Sequence, residues 1–488
     1  MNVFLIMNKN KIVRVLAGFI IINQLLGSHV AFGSNGLSTQ LRLDEIANQT
    51  LNNALATQIK SPNKHYVEGE FPTLIQSTLL PVMAGVGKLI GEDQEASGFT
   101  TASVINVLAQ TYLENQNEVD KYNSLQQIPQ SIKKGVESFK RYTVGPTFNF
   151  YPPHNDNGQI VRRPIDMKLL PFWFGFTHIP NDADSSSVIL SALVYDSKIN
   201  GHKFNVSPDS IAEFSRYRDI DRKPMFYNKG QNRQNTGAFM TWLYDEKNPK
   251  MPRFYFADAK KGERIPFNVN DVDCIVNANV LKMSSLSQNQ NMPGYKESCS
   301  MINDMIKKNE HAYCGIYYPN TYNLSFAMAN AEKAGDRCLT DESKSLIIDK
   351  IISLQDGYTG AWSNDKNVWQ DKTLSTAFAM YSLLHFGNPY EYRVYASLLY
   401  GMHFLLSQIE YNKGPIMWPS DNFFTATAIA RSLIMWRSDA YTNAIISSVL
   451  FKMHKLYPQF TAENYLRLKF DNQDSKNVEF SLKENNGG

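Results

Sequence analysis

Long apolar runs, cysteine and net charge are all scarce in this chain of 488 residues. Beyond residue 33 no stretch approaches the ~18 uninterrupted apolar residues of a membrane span. Low-complexity tracts and long charge runs are also missing. There are four cysteines, and neither a CxxC pair nor a Cys/His spacing of the kind that holds zinc. The formal net charge is +3, and Lys9, Lys11 and Arg14 supply all of it, so the chain after residue 33 carries 3 − 3 = 0. A nucleic-acid binder needs a net basic surface to neutralise phosphates, and this balance excludes that class.

The first 33 residues read as a secretory signal peptide. Lys9, Lys11 and Arg14 form a basic start, Val15 to Leu26 is a short apolar stretch, and Ala31-Phe32-Gly33 offers the small residues a signal peptidase reads. The expectation is an exported protein, periplasmic or secreted, starting near Ser34. Cysteine use agrees with export. Cys274, Cys299, Cys314 and Cys338 fall within one 65-residue window, and an even count in an oxidising compartment suggests two disulfides among three possible pairings.

The most informative feature is an internal repeat. Six segments carry small and apolar residues on most faces: Gly98 to Tyr112, Asp182 to Tyr195, Asp271 to Leu281, Tyr322 to Ala331, Asp371 to Leu384 and Asp421 to Leu433. The last four begin about 50 residues apart. Between them lie helices with one wet face. Ser300 to Lys308 sets Met301, Ile302, Met305 and Ile306 opposite Asn303, Asp304, Lys307 and Lys308. Ser345 to Leu354 does likewise with Leu346, Ile347 and Ile351. A helix apolar all round must be covered on both sides, so the alternation predicts two concentric layers, with the buried set inside. The expected organisation is a lead-in over 34–74, the helical repeats over 75–455 and a polar tail over 456–488.

Glycine and an aromatic residue recur before the inner segments, as in Gln355…Gly360-Ala361-Trp362 and the looser Gln408…Gly414…Trp418. This pattern is similar to the QW repeats of squalene and oxidosqualene cyclases and related prenyltransferase-type toroids, over roughly residues 75–455. The resemblance implies an all-α fold, an (α/α)6 toroid of inner and outer helices. That topology puts Cys274 and Cys314 at one end of the ring and Cys299 and Cys338 at the other, implying the pairs Cys274–Cys314 and Cys299–Cys338.

Two acidic clusters open successive inner segments. Asp182-Ala183-Asp184-Ser185 resembles a degenerate DxDD motif of class II terpene cyclases, in which the middle Asp protonates an alkene or epoxide. Asp184 holds that position, and Ser185 replaces the final Asp. Asp273-Cys274 resembles the start of the DCTAE motif of oxidosqualene cyclases. Asp184, Asp182 and Asp273 are thus the catalytic candidates. Asn277 shares a helix face with Asp273, and Arg431 and His178 are candidates for ligand binding. The bland alternative is helix capping, since Asp at a helix N-terminus stabilises it by about 0.5–2 kcal/mol. A third is a divalent cation on the Asp pairs. No other cofactor is expected, and the Asp-x-Cys zinc pair of protein prenyltransferases is missing because Val272 stands in its place.

The resemblance implies an apolar isoprenoid or lipid ligand. Two other functions fit an exported toroid. One is a polysaccharide lyase or glycoside hydrolase acting on a glycan, using Asp182, Asp184, Asp271 and Asp273 with His178 and Tyr151. The other is a non-catalytic binding protein on the same scaffold.

Overall fold

The computed structural model describes residues 41–77, 92–156, 158–165, 179–221, 235–244, 270–310, 314–363, 372–409, 416–425 and 434–468. All belong to the unit Thr39–Gly488. The signal-peptide expectation lies outside the described residues. None of the described helices is long and apolar enough to cross a membrane.

Six helices are buried along nearly their whole length: α2 (Gly98–Glu114), α4 (Ala183–Asn200), α6 (Cys274–Leu286), α8 (Asn323–Lys333), α10 (Lys372–Phe386) and α12 (Asp439–Leu456). Each packs against the next in chain order, and α12 returns to pack against α2. The other helices are α1 (Leu43–Ala56), α3 (Asn123–Ser138), α5 (Pro208–Arg216), α7 (Tyr295–Lys307), α9 (Asp341–Ser353) and α11 (Tyr392–Ser407), of which α1, α3, α7, α9 and α11 pack against the inner set. A short α13 (Ala462–Leu466) packs on α11.

The wet-faced helices bury one stripe each. In α7 the stripe includes Met301, Ile302, Met305 and Ile306, as the spacing predicts. In α9 Ile347 and Ile351 are buried, whereas Leu346 is exposed. The expected lead-in contains α1, which packs against α12 and α3.

A local device ties the layers together and repeats along the chain. Gln58 follows α1 and donates its Nε2 to the carbonyls of Gly69 and of Ser131 in α3. Gln355 follows α9 and donates its Nε2 to the carbonyls of Gly360 and of Ser397 in α11. An aromatic residue comes two positions after each glycine, and its backbone N–H donates into an inner helix. Phe71 reaches Thr101 Oγ1 and Trp362 reaches Thr376 Oγ1. Phe148, Phe239 and Trp418 make the same bond to Ser186, Asn277 and Asn443. The Trp362 and Trp418 indoles also donate to the carbonyls of Ile351 and Leu405 in the last turns of α9 and α11, which accept from the Leu354 and Gln408 N–H groups as well.

Gly360 has φ +74, and a Cβ there would stand 2.3 Å from the Tyr400 carbonyl oxygen. Gly360→Ala is therefore expected to destabilise the protein by at least about 1–2 kcal/mol. Thermal melting against the open-space control Gly357→Ala checks this; equal midpoints would contradict it.

Two features depart from an all-α chain. Strands β1 (Leu74–Ser77), β2 (Glu92–Gln94), β7 (Asn422–Thr425) and β8 (Ile434–Arg437) form an antiparallel sheet in the order β2-β1-β8-β7. Two small hairpins pair β3 (Thr143–Val144) with β4 (Thr147–Phe148) and β5 (His154–Asp156) with β6 (Gln159–Val161). The sixth inner helix is α12; the expected segment Asp421 to Leu433 begins as a strand, and its residues 426–433 lie outside the described residues. A short apolar run does not separate helix from strand by periodicity alone, and Asn422-Phe-Phe-Thr pairs in the sheet instead. Asp421 serves another helix: its Oδ2 accepts from the Leu374 N–H at the start of α10.

The disulfides are Cys274–Cys314, with Cα atoms 5.5 Å apart, and Cys299–Cys338, at 5.2 Å. Both pairings agree with the expectation. The first fastens residues 314–318 to the start of α6. Cys274→Ser with Cys314→Ser is expected to cost about 2–4 kcal/mol, because the bridge spans 40 residues of chain. Denaturant titration without reductant measures this, and an unchanged midpoint would contradict it.

Candidate active site

Among the described residues four inner helices start with a side-chain cap, and two of these caps are the predicted acids. Asp182 caps α4 by accepting from the Ser185 N–H at 2.6 Å. Its Oδ2 is buried without a hydrogen-bond partner. Burial pushes the Asp182 carboxyl up to about 7, because ionisation would strand a charge away from water.

Asp273 caps α6. Its Oδ1 accepts from the N–H groups of Ile275 and Val276, and its Oδ2 from those of Ile316 (2.5 Å) and Tyr317 (3.1 Å). Four backbone donors thus converge on one carboxylate that is 0% exposed. Asp271 accepts from Thr241 Oγ1 and from the Tyr317 hydroxyl. This second cluster, with the disulfide, fixes the loop 314–318 and hence Tyr318. Donors on every side of Asp271 and Asp273 oppose a divalent cation there, which needs those lone pairs for itself.

Asp184 lies in the first turn of α4 and is buried. The Tyr318 hydroxyl donates to its Oδ2 at 2.5 Å, and Asn279 Nδ2 donates to its Oδ1 at 2.7 Å. Burial first, then the neighbouring Asp182, drives the Asp184 carboxyl well above the usual range; its two hydrogen bonds oppose this and Asp273 adds to it. The Tyr318 hydroxyl is likewise raised by burial and by Asp184, so it remains a neutral donor.

Tyr318 and Asn279 also form part of a cavity wall. About 490 Å³ of empty space, part of it open to solvent, lies among the inner helices. From α2 come Phe99, Ser103 and Asn106; from α6 come Ile275, Asn279 and Lys282; from α8 come Asn323, Phe326 and Asn330. Each set follows the i, i+3, i+4, i+7 spacing of a single helix face. Phe424 of β7 joins Phe99, Phe150, Trp436 and Tyr318 in an aromatic cluster next to the acid, with ring centroids 5.2–5.7 Å apart along Phe424–Phe99, Phe424–Tyr318 and Phe150–Trp436.

Asn277, expected to bind ligand, does not line the cavity. Its amide pairs with both the N–H and the carbonyl of Phe239 and accepts from Ser298 Oγ. It stands two positions before Asn279 on α6, about 200° around the helix, enough to turn it to the outer layer. His178 and Arg431 lie outside the described residues. Sequence reasoning missed Asn279, Tyr318 and Lys282. For Lys282 a signal existed: it is the single charged residue within the helix CIVNANVLKMSSL.

An acid buried at the head of a helix-lined cavity, within alternating buried and wet-faced helices, defines a terpenoid-cyclase-like fold. Solved structures of the type II terpene cyclase MstE from Scytonema share it. One variant holding its substrate, geranylgeranyl dihydroxybenzoate, aligns with a TM-score of 0.51 at 13% identity, over 85% of this chain and 99% of that one. An apo variant aligns at 0.50 and 14%, over the same shares. No protein-family model and no curated protein matches the chain.

Proposed function

We propose that the chain is an exported isoprenoid cyclase-like protein, an (α/α)6 toroid whose Asp184 starts cyclisation by protonating an alkene. The observation that carries this reading is the environment of Asp184. It is a buried carboxyl whose ionised form is disfavoured, hydrogen-bonded by two residues of the cavity wall.

In the first step the Asp184 O–H bond breaks and its proton adds to one carbon of a C=C bond. The π electrons form the new C–H bond, the other carbon becomes a cation, and Asp184 is left as a carboxylate. Asn279 and Tyr318 donate to that carboxylate, and their bonds strengthen as its charge develops. The π electrons of a second C=C bond attack the cation, closing the ring and moving the positive charge to a new carbon. Loss of a proton from the adjacent carbon to solvent leaves an alkene, and Asp184 takes a proton back from solvent. The aromatic faces of Phe99 and Phe326 stand where they can stabilise positive charge.

The glycan reading draws less support. A lyase or glycosidase needs two working carboxylates, or a His and Tyr pair, in one cleft. Asp271 and Asp273 are engaged with internal donors, which leaves Asp184 as the acid in contact with the cavity wall among the described residues.

Incubation with linear C20 isoprenoids in deuterated water tests the proposal. One deuterium in a cyclised product is the expected result. Recovery of every linear isoprenoid unchanged and unlabelled would contradict it.

A further inference from the structure

The cavity wall is not that of a pure hydrocarbon site. One face is aromatic and aliphatic, with Phe99, Phe326, Val107 and Val188. Another presents Asn106, Asn323 and Lys282. Two donors there, the Lys282 ammonium and the Asn323 amide, meet no hydrogen-bond acceptor in the protein.

Lys282 is 6% exposed and forms neither a hydrogen bond nor an ion pair; its ammonium lies 5.3 Å from the centre of the Tyr195 ring. Asn106 donates its Nδ2 to the Val188 carbonyl at 2.9 Å, and its unpaired Oδ1, an acceptor, takes no part in receiving an anion. Asn323 Nδ2 is buried and unpaired as well. A buried cation and a buried amide N–H each cost free energy until an acceptor meets them. Retaining them on one wall makes sense if the ligand supplies that acceptor.

We propose that Lys282, assisted by the Asn323 amide N–H, receives a carboxylate on the ligand, so that the protein takes an isoprenoid acid and not a neutral polyprene. This rests on the isoprenoid reading above and narrows it. Charge selects the head group. Lys282 is the one cation on the cavity wall among the described residues. The neighbouring Lys333 is already paired with Glu114 at 2.7 Å. One positive charge balances one carboxylate and falls short of a diphosphate.

The placement also orients the ligand. Asn279 and Lys282 lie on one face of α6, about 4.5 Å apart along the axis. Asn279 holds the acid, so the head group and the site of protonation share a single compact chamber. Burial without a counter-charge presses the Lys282 ammonium down to about 7, with Lys333 adding to the effect. A bound carboxylate reverses that shift, so binding near neutral pH draws protons from the buffer.

Calorimetry on the full protein at pH 7.5 tests this, with geranylgeranoic acid, geranylgeraniol, geranylgeranyl diphosphate and palmitate as probes. Geranylgeranoic acid is expected to bind about 10- to 100-fold more tightly than the alcohol. Its heat should vary with the buffer's ionisation enthalpy in the sense of proton uptake. Lys282→Met should erase the preference and the uptake while leaving alcohol binding in place. Lys282→Arg, which keeps the charge, should retain the preference.

The same preference in Lys282→Met, a tighter grip on the diphosphate, or no binding of either C20 acid or alcohol would overturn the proposal. Palmitate bound as well as geranylgeranoic acid, and with the same dependence on Lys282, would uphold the carboxylate site and remove the isoprenoid reading alone.

Discussion

Asp184→Asn should lose cyclised product by about 10²–10⁴-fold in kcat, the range a positioned general acid contributes. An amide has no proton acidic enough to give to an alkene, yet it keeps the shape of the carboxyl and can still meet Asn279 and Tyr318. Affinity for the same isoprenoid should therefore stay within a few-fold, which separates lost chemistry from lost binding. Tyr318→Phe should act less strongly. It leaves Asp184 acidic but removes a donor at 2.5 Å from the carboxylate that forms, a loss of about tenfold. Product formed by Asp184→Asn at the wild-type rate would remove the acid from the account.

The second large effect is on stability as a function of pH. In the unfolded chain Asp182 ionises near 3.8, whereas in the fold it ionises near 7. Below about pH 4 both states hold the proton and the group adds no pH dependence. Between about pH 4 and 7 the unfolded chain loses the proton first, so folding stability falls as pH rises. Above 7 the cost is constant, at about 4 kcal/mol for a shift of this size. Asp184 is raised in the same direction and extends the decline.

Asp182→Asn removes the ionisation while retaining a residue that caps well. The variant is expected to unfold at higher denaturant than wild type at pH 8 and to lose that advantage at pH 4. Because Asp182 also raises Asp184 through its charge, the same variant should move the loss of activity to lower pH. Stability curves for variant and wild type that run parallel from pH 4 to 8 would contradict the buried, raised Asp182.

Much of the helical pattern was legible because burial on all faces and burial on one face leave different residue spacings. Met301, Ile302, Met305 and Ile306 could fall on one side of α7 only if that helix had one wet face. The Gln355–Gly360–Trp362 device could be read because it is compact. Its counterpart Gln58–Gly69–Phe71 escaped, since ten residues separate its Gln and Gly and a Phe replaces the Trp. The sixth inner helix was misplaced because the Asn422–Thr425 strand has no alternation to mark it as one.

Asp184 and Asp182 stood out in sequence because two acids cluster at a helix start. Tyr318 and Asn279 could not be found that way. They meet Asp184 across 134 and 95 residues of chain, through a loop that Asp273 and a disulfide hold in place. Asp273, chosen as an acid, instead organises that loop.

The account turns on the proton at Asp184. A difference infrared spectrum of wild type against Asp184→Asn at pH 7, without ligand, reads it directly. The expected result is a protonated carboxyl band that disappears in the variant. A difference confined to ionised carboxylate bands would show Asp184 already deprotonated, with no proton to give.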